Sequence, residues 1–394
     1  MSAPELPMPR ACPFQPPDGY AALRAEGPLA RARLRDGSPV WAVTGYEQVR
    51  ALLAHPAVSS DVLNPHHPEL SLPPGASRPD PEQRRPVLTF VEMDDPEHAR
   101  LRRMVIPYFS VRRTRALRPH IQSTVDNLLD AVIANGPETD LMAGLAVPLP
   151  ALALCEVFGV PAADRAFFAA NMTWPMQDID QVGASFKVLR NRIEQLLRDK
   201  RDAPADDLLS GLARQVAAGA LTERQALGTV FMLIIAGHET TANTLALAVL
   251  TLLSHPDEVA RLHTDPTAAV DELLRYVTVA DPVCRVATAD VEIGGRSVKA
   301  GDGIVVLLAA ANRDREAMAD ADRLDLRRRP NRHLAFGHGV HQCLGHLLAR
   351  TEIEVALTSL FTRLPTLRLA GPADGLPVKP ALSLQGVTRL PITW

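Results

Sequence analysis

Cysteine is scarce in this chain: 394 residues hold four, at positions 12, 155, 284 and 343. None stands in a CxxC pair, so neither a zinc site nor a disulfide framework is expected. A reducing cytoplasm is the expected compartment. An excess of one charge is also missing. Forty-two basic and 45 acidic residues leave a net charge of -3, which offers no bulk attraction to nucleic acid or to an anionic membrane. The opening stretch, MSAPELPMPRACPFQPPDGY, has no basic start and no apolar run, so no signal peptide is expected. No internal repeat is found, which sets repeat architectures aside. One long apolar run exists, ALGTVFMLIIAGHETTANTLALAVLTLL. The polar HETTAN at its centre, with Glu239, argues for a buried core helix and against a membrane span.

What is present is mostly helix. PEHARLRRMVIPYF, ALRPHIQSTVDNLLDAVIAN, SFKVLRNRIEQLLRDKR and PADDLLSGLARQVAAG carry helical periodicity. Two hairpins are expected, one turning at Asp36-Gly37 and one at Gly294-Gly295. The longest helix is the best defined. Thr222 to Gln225 reads as a capping box, the apolar pattern runs from Ala226 to Leu253, and Pro256 stops it. A helix of that size spans roughly 45 Å, and it would bury polar groups at its midpoint. Between Ser60 and Glu92, seven prolines and no clear period predict a long functional or disordered loop.

Four constellations carry chemistry. In FGHGVHQCLGH, residues 336–346, glycines let the backbone approach another group closely. Cys343 lies just before a helix, whose positive end favours thiolate. On these residues alone Cys343 is a nucleophile, a metal ligand or an inert buried thiol. Glu272 and Arg275, at i and i+3, share a helix face and can pair. Ala236 to Thr241, AGHETT, sets polar residues mid-helix. The zinc-protease pattern HExxH fails there, because Ala242 stands where the second histidine is needed. In DDPEHARLRR, Asp95 and Pro96 open a helix that puts His98 and Arg102 on one face.

Taken together, Phe336-x-x-Gly339-x-x-x-Cys343-x-Gly345, with Gly337 and His341, resembles the haem-ligand signature of the cytochrome P-450 family, and is most similar to actinobacterial members. The resemblance runs through nearly the whole chain. It implies a mainly α fold: a single domain over residues 1–394, with small β-sheets and a long central helix over the haem. It implies haem b with Cys343 as axial thiolate, which favours O–O cleavage. Phe336 would shield the sulfur, with loop amides, Gly345 among the motif residues, tuning it. His98, Arg102, Arg285 and His341 are implied at the haem propionates. Glu272 and Arg275 are implied to be locked by a third arginine, Arg323, followed by Leu324 where the family usually has Phe. AGHETT resembles the oxygen-activation motif, in which Glu239 and Thr240 pass protons.

The implied function is monooxygenation: one dioxygen atom enters a substrate C–H bond and the other leaves as water. No flavin or iron–sulfur segment is visible, so the electrons are expected from a ferredoxin and its reductase. Arg102, Arg103, Arg112, Arg113, Arg327, Arg328 and Arg329 are candidates for the docking face. The family topology places five segments over the haem: Leu63 to Val91, FFAANMTWPMQDID, Met232 to Ala236, Thr278 to Cys284, and Ala381 to Val387. The last three are largely apolar, which suits a small hydrophobic substrate. A cytoplasmic monomer without nucleic-acid or membrane partners is expected. Two other functions fit the same motifs: a haem-thiolate enzyme that couples, nitrates or rearranges its substrate, and a non-catalytic haem sensor. Glu239-Thr240 favours the monooxygenase.

Overall fold

The capping box at the head of the longest helix is formed in the computed structural model, which describes residues 3–71, 80, 89–172, 179–379 and 383–394. Thr222 Oγ1 accepts from the Gln225 amide at 3.1 Å, and Gln225 Oε1 accepts from the Thr222 amide at 3.0 Å. From there the central helix runs Glu223–Leu253, and Pro256 opens the next helix. By length and composition it could cross a membrane. Instead its second half, Leu245 to Leu252, is buried on every side, as expected of a helix that is apolar all round inside a protein.

The other helices pack around it. Val111–Ala134, Pro148–Phe158, Pro266–Val277 and His346–Arg363 share one large apolar core with it. The last of these follows Cys343 and lies against both Val111–Ala134 and the central helix. Local chemistry moved several expected boundaries. The helix expected over 96–109 is Glu97–Val105 followed by a tighter turn, Ile106–Phe109, because Pro107 has no N–H to continue the ladder. The helix expected from Ala116 starts at Val111. The helix expected from Pro204 starts at Leu208, after Asp207, whose Oδ1 accepts from the Ser210 amide at 2.8 Å.

Both expected hairpins form: Leu29–Leu34 pairs antiparallel with Pro39–Val43, and Val291–Ile293 with Arg296–Val298. The first belongs to a six-stranded sheet whose spatial order is Glu5–Leu6, Leu29–Leu34, Pro39–Val43, Gly303–Val306, Val283–Ala287, Val58–Ser59. Its two faces cover two smaller apolar clusters. Strand Val283–Ala287 carries Arg285 from this sheet to the helical core. A three-stranded sheet joins Arg368–Leu369, Pro391–Thr393 and Glu138–Asp140. The mainly helical fold with small sheets is the one expected from the sequence. Residues 72–79 and 81–88 of the proline-rich loop, 173–178 of FFAANMTWPMQDID, and 381–382 of the fifth segment lie outside the described residues.

Candidate functional site

The loop before helix His346–Arg363 is a tight scaffold. The Cys343 amide donates to the Phe336 carbonyl at 2.9 Å, and the Gln342 amide to that of Gly339 at 3.0 Å. Gly339 has φ +75°, and a Cβ there would lie 2.3 Å from the Leu53 carbonyl oxygen. Only glycine meets both demands. The Arg350 guanidinium sits 4.7 Å from the centre of the Phe336 ring, and its Nε donates to Asp271 at 2.7 Å. Phe336 is thereby held beside the cysteine loop.

The Cys343 sulfur opens into an internal cavity of about 310 Å³. It is accessible from that cavity and otherwise enclosed by protein. Burial pushes its thiol pKa up, opposed by the Gly345 amide and by Arg102 and Arg350. The helix start alone therefore does not make the thiolate that the sequence suggested. A cation bound at the sulfur would, because metal ligation removes the proton outright.

The same cavity receives Arg102, Arg285 and His341. Arg102 donates to the Gln342 carbonyl at 2.5 Å, stitching helix Glu97–Val105 to the cysteine loop. Arg285 donates to the Cys284 carbonyl at 2.6 Å. Burial lowers the pKa of both guanidiniums, and among the described residues neither has a carboxylate partner. His98 is fixed through Nδ1 to Asp95 at 3.1 Å, while its Nε2 is buried without a partner. The His341 ring centre lies 4.1 Å from that of His98 with the planes tilted by 40°, and its Nδ1 is also buried without a partner. Burial first, then Arg285 and His98, depress His341 to about 3, so that ring is neutral. Two cations without a carboxylate partner and two orphaned ring nitrogens beside a largely apolar cavity suit a group with an apolar body and carboxylates. The residues fit a haem.

On the opposite wall the central helix contributes Ala236, Gly237, Thr240, Thr241 and Thr244. Thr240 Oγ1 donates to the Ala236 carbonyl at 2.5 Å, leaving its lone pairs to the cavity. Such back-bonding is how a helix accommodates buried hydroxyls. Glu239 faces away. Its carboxylate pairs with Lys379 and lines a separate small pocket of about 60 Å³ with His238 and Asn243. The two residues expected to act together therefore sit on different sides of the helix.

Glu272 and Arg275 are fully buried and bidentate, at 2.7 and 2.8 Å. The expected third arginine is corrected. Arg323 is exposed and contributes only its backbone carbonyl, which accepts from Arg275 at 3.0 Å. Arg328 is the arginine that turns inward, its Nε at 3.1 Å from both Glu272 oxygens. Asn331 and the Asp325 amide complete the cluster, each at 3.0 Å. This also removes Arg328 from the expected docking face. Arg113, Arg327 and Arg329 are paired with Asp206, Asp325 and Asp265, and Arg102 faces the cavity. Arg103 and Arg112 remain exposed, with no charged partner among the described residues.

Sequence reasoning also missed a second, outer cavity of about 880 Å³ that meets the inner one at Val91, Met232 and Ala236. Arg190, Arg198, Arg201 and Arg224 line it, with Glu92, Glu194 and Glu223, beside Phe186 and Phe231. Positions 190, 194, 197, 198 and 201 fall on one helix face, a spacing visible in the sequence. The inner wall is apolar as expected, from Met232, Leu233, Val279, Ala280 and Val283. Of the fifth segment, none of the described residues lines either cavity. Leu384 and Gln385 pair instead with Ala280 and Val279 from behind. Glu352, buried in helix His346–Arg363 and lining the inner cavity, was not foreseen either.

The chain is similar to known proteins over its whole length. The sequence model of the cytochrome P450 family matches residues 166–265 and 266–367. Pentalenic acid synthase of Streptomyces avermitilis is 44% identical, covering 100% of this chain and 98% of its own. Mycinamicin VIII C21 methyl hydroxylase of Micromonospora griseorubida is 39% identical, over 98% of this chain and 99% of its own. The solved structure of cytochrome P450 MoxA from Nonomuraea recticatena superimposes with a TM-score of 0.93 at 41% identity, covering 99% of this chain and 98% of that one.

Proposed function

Because this chain belongs to the cytochrome P450 family, we propose that it is a haem-thiolate monooxygenase in which the Cys343 sulfur would hold a haem b. The observation that carries the reading is one buried cavity with Cys343, Arg102, Arg285, His341 and Thr240 in its wall. When bound, the haem supplies the oxygen chemistry: one atom of dioxygen enters the substrate and the other leaves as water. This chain's side chains do the rest. Cys343 anchors the group, Phe336 covers the sulfur, and the Gly345 amide donates to it. Arg102, Arg285, His98 and His341 would hold the propionates. The buried Glu272–Arg275–Arg328 cluster fixes the segment that leads into Phe336. Thr240 holds a proton at Oγ1 on the cavity wall, and Glu239 takes protons from the solvent side. The apolar inner wall excludes water from the reaction.

The substrate is a small molecule, largely apolar where it meets the inner cavity, of the secondary-metabolite kind named for the relatives. Its outer end meets a wall that mixes arginine, glutamate and phenylalanine. Electrons come from a ferredoxin served by its reductase, docking at Arg103 and Arg112. The whole chain, 1–394, acts as one domain and as a cytoplasmic monomer, without nucleic acid or membrane. The test is a substrate screen read by the spin-state shift of the ferric haem, followed by product mass. A product heavier by one oxygen atom, labelled from isotopic dioxygen, supports the reading. Screen hits converted only to coupled, nitrated or rearranged products overturn it in favour of a non-hydroxylating enzyme.

A further inference from the structure

Lys379 and Glu239 are 140 positions apart, yet their side chains pair, about one-fifth and one-third exposed. The neutral neighbour His238 offers Glu239 no counter-charge. Its Nε2 is engaged with the Val147 carbonyl at 3.0 Å, and burial lowers its pKa. Lys379 is the one cation paired with Glu239 among the described residues.

The segment that carries Lys379 is itself built onto the central helix. The Lys379 amide donates to the Gly386 carbonyl at 2.9 Å, and Val378 bridges to Val387. These two arms lie against the helix at Asn243, one turn after Glu239. A Cβ on Gly386 would fall 1.9 Å from Asn243 Oδ1, so the backbone can come this close only as glycine. Asn243 Nδ2 donates back to the Glu239 carbonyl at 2.8 Å. The same arms reach the inner cavity's wall: the Gln385 amide donates to the Val279 carbonyl at 2.9 Å, and Leu384 bridges to Ala280. One backbone unit thus grips Glu239 by its side chain, its helix by Gly386, and the substrate wall by Val279 and Ala280.

We propose that Lys379 is the positioning residue for Glu239, holding its carboxylate at the small pocket beside His238 and Asn243, and that the arms 377–379 and 384–388 tie that position to the wall of the substrate cavity. The proposal rests on the reading that Glu239 feeds protons to Thr240. Lys379 does not touch the reacting atoms. It keeps a partly exposed carboxylate from swinging into solvent and so keeps the proton entry ordered.

The pair can be read without any turnover. The chain has only four lysines, at 187, 200, 299 and 379, so acetylation of the haem-loaded enzyme with an N-hydroxysuccinimide acetate pulse, read by peptide mass, reports each one. Lys379 is expected to react slowly in the wild type and several-fold faster in Glu239→Gln, with Lys299 unchanged in both. Equal Lys379 rates in the two proteins would overturn the pairing. The functional arm uses the first molecule from the spin-state screen that yields a product. Lys379→Met should lower product per reductant by about tenfold while leaving the carbon monoxide band and substrate affinity unchanged, and Lys379→Arg should restore it. Lys379→Met on top of Glu239→Gln should add nothing further. If Glu239→Gln uncouples the enzyme while Lys379→Met does not, this inference fails and the Glu239 assignment stands. If Glu239→Gln stays fully coupled, the assignment of Glu239 itself fails. Coupling that rises in Lys379→Met makes the lysine a brake and also overturns the proposal.

Discussion

Arg328 holds Glu272 with its Nε at 3.1 Å from both carboxylate oxygens, in a cluster where Glu272 and Arg275 have no exposed surface. Arg323, five residues earlier, gives the cluster a carbonyl and keeps its side chain outside. The two arginines are therefore not interchangeable. Arg328→Met should leave part of a buried carboxylate uncompensated and cost about 3 kcal/mol. Arg323→Met should stay within about 0.5 kcal/mol. Urea unfolding of the two variants separates them, and haem incorporation should fall only in the first. Equal losses would mean that Arg323's side chain does the locking.

The contrast explains what the sequence could and could not reveal. The Thr222–Gln225 cap was legible because it depends on neighbours within a few positions, whereas Gly339 answers to Leu53 far along the chain and Cys343 stood out through the spacing of the motif around it. The central helix was legible because its apolar pattern is continuous. The choice between Arg323 and Arg328 was not, because DADRLDLRRR is irregular chain, and the inward turn is set by Glu272 more than fifty residues away. Lys379 was invisible for the same reason, since nothing local marks it as Glu239's partner. The outer arginines fall on one helix face, but such a face is ordinarily a solvated one, and only the fold shows that it lines a cavity.

Cys343→Ala tests the ligand. The wild-type protein, reduced and exposed to carbon monoxide, should show the strongly red-shifted Soret band of a thiolate-ligated haem. The alanine variant should lose that band while its far-UV circular dichroism is unchanged, because the sulfur faces the cavity. A variant that keeps the band would take Cys343 out of the site.

Glu352 gives stability a pH dependence. Burial alone pushes its carboxyl up to about 8, and its Oε2 has no hydrogen-bond partner. The folded state thus binds this proton more tightly than the unfolded chain, where the pKa is about 4.3. The contribution is fully present below the unfolded pKa and is lost as pH rises towards 8. Between pH 5 and 7.5 the wild type should lose about 2–3 kcal/mol relative to Glu352→Gln, which cannot ionise. Denaturant unfolding of both proteins across that range measures it. Parallel pH profiles would show that Glu352 is ionised and paired in the folded protein.

Docking of an acidic ferredoxin is narrowed to Arg103 and Arg112, the exposed arginines of the expected set without a charged partner among the described residues. Arg103→Glu and Arg112→Glu should slow reduction by the ferredoxin several-fold and leave substrate-induced spin shifts alone. The wild-type rate should fall as salt rises, because exposed charges are screened beyond about 10 Å at 0.1 M. Arg329→Glu, which removes a cation already paired with Asp265, should have the smaller effect. A salt-independent rate would count against an electrostatic encounter.

Thr240 offers the sharpest test of the oxygen chemistry. Its hydroxyl stands on the cavity wall and donates to the Ala236 carbonyl at 2.5 Å, so it can accept and relay a proton without leaving the helix. Thr240→Ala removes that station and nothing else that the haem needs, since Cys343, Arg102, Arg285 and His341 reach the cavity from other elements. Haem content, the carbon monoxide band and reduction by the ferredoxin should be unchanged. Product per reductant should fall by about two orders of magnitude, the lower end of what a positioned proton donor contributes, and hydrogen peroxide should appear in its place. Peroxide supplied from outside brings its own protons and electrons, so it should restore part of the product. Thr240→Ser, which keeps the hydroxyl, should stay well coupled. Full coupling in Thr240→Ala would mean that the native reaction does not draw its protons through this residue, and the non-hydroxylating alternative, with its different proton inventory, would become the better reading of the same cavity.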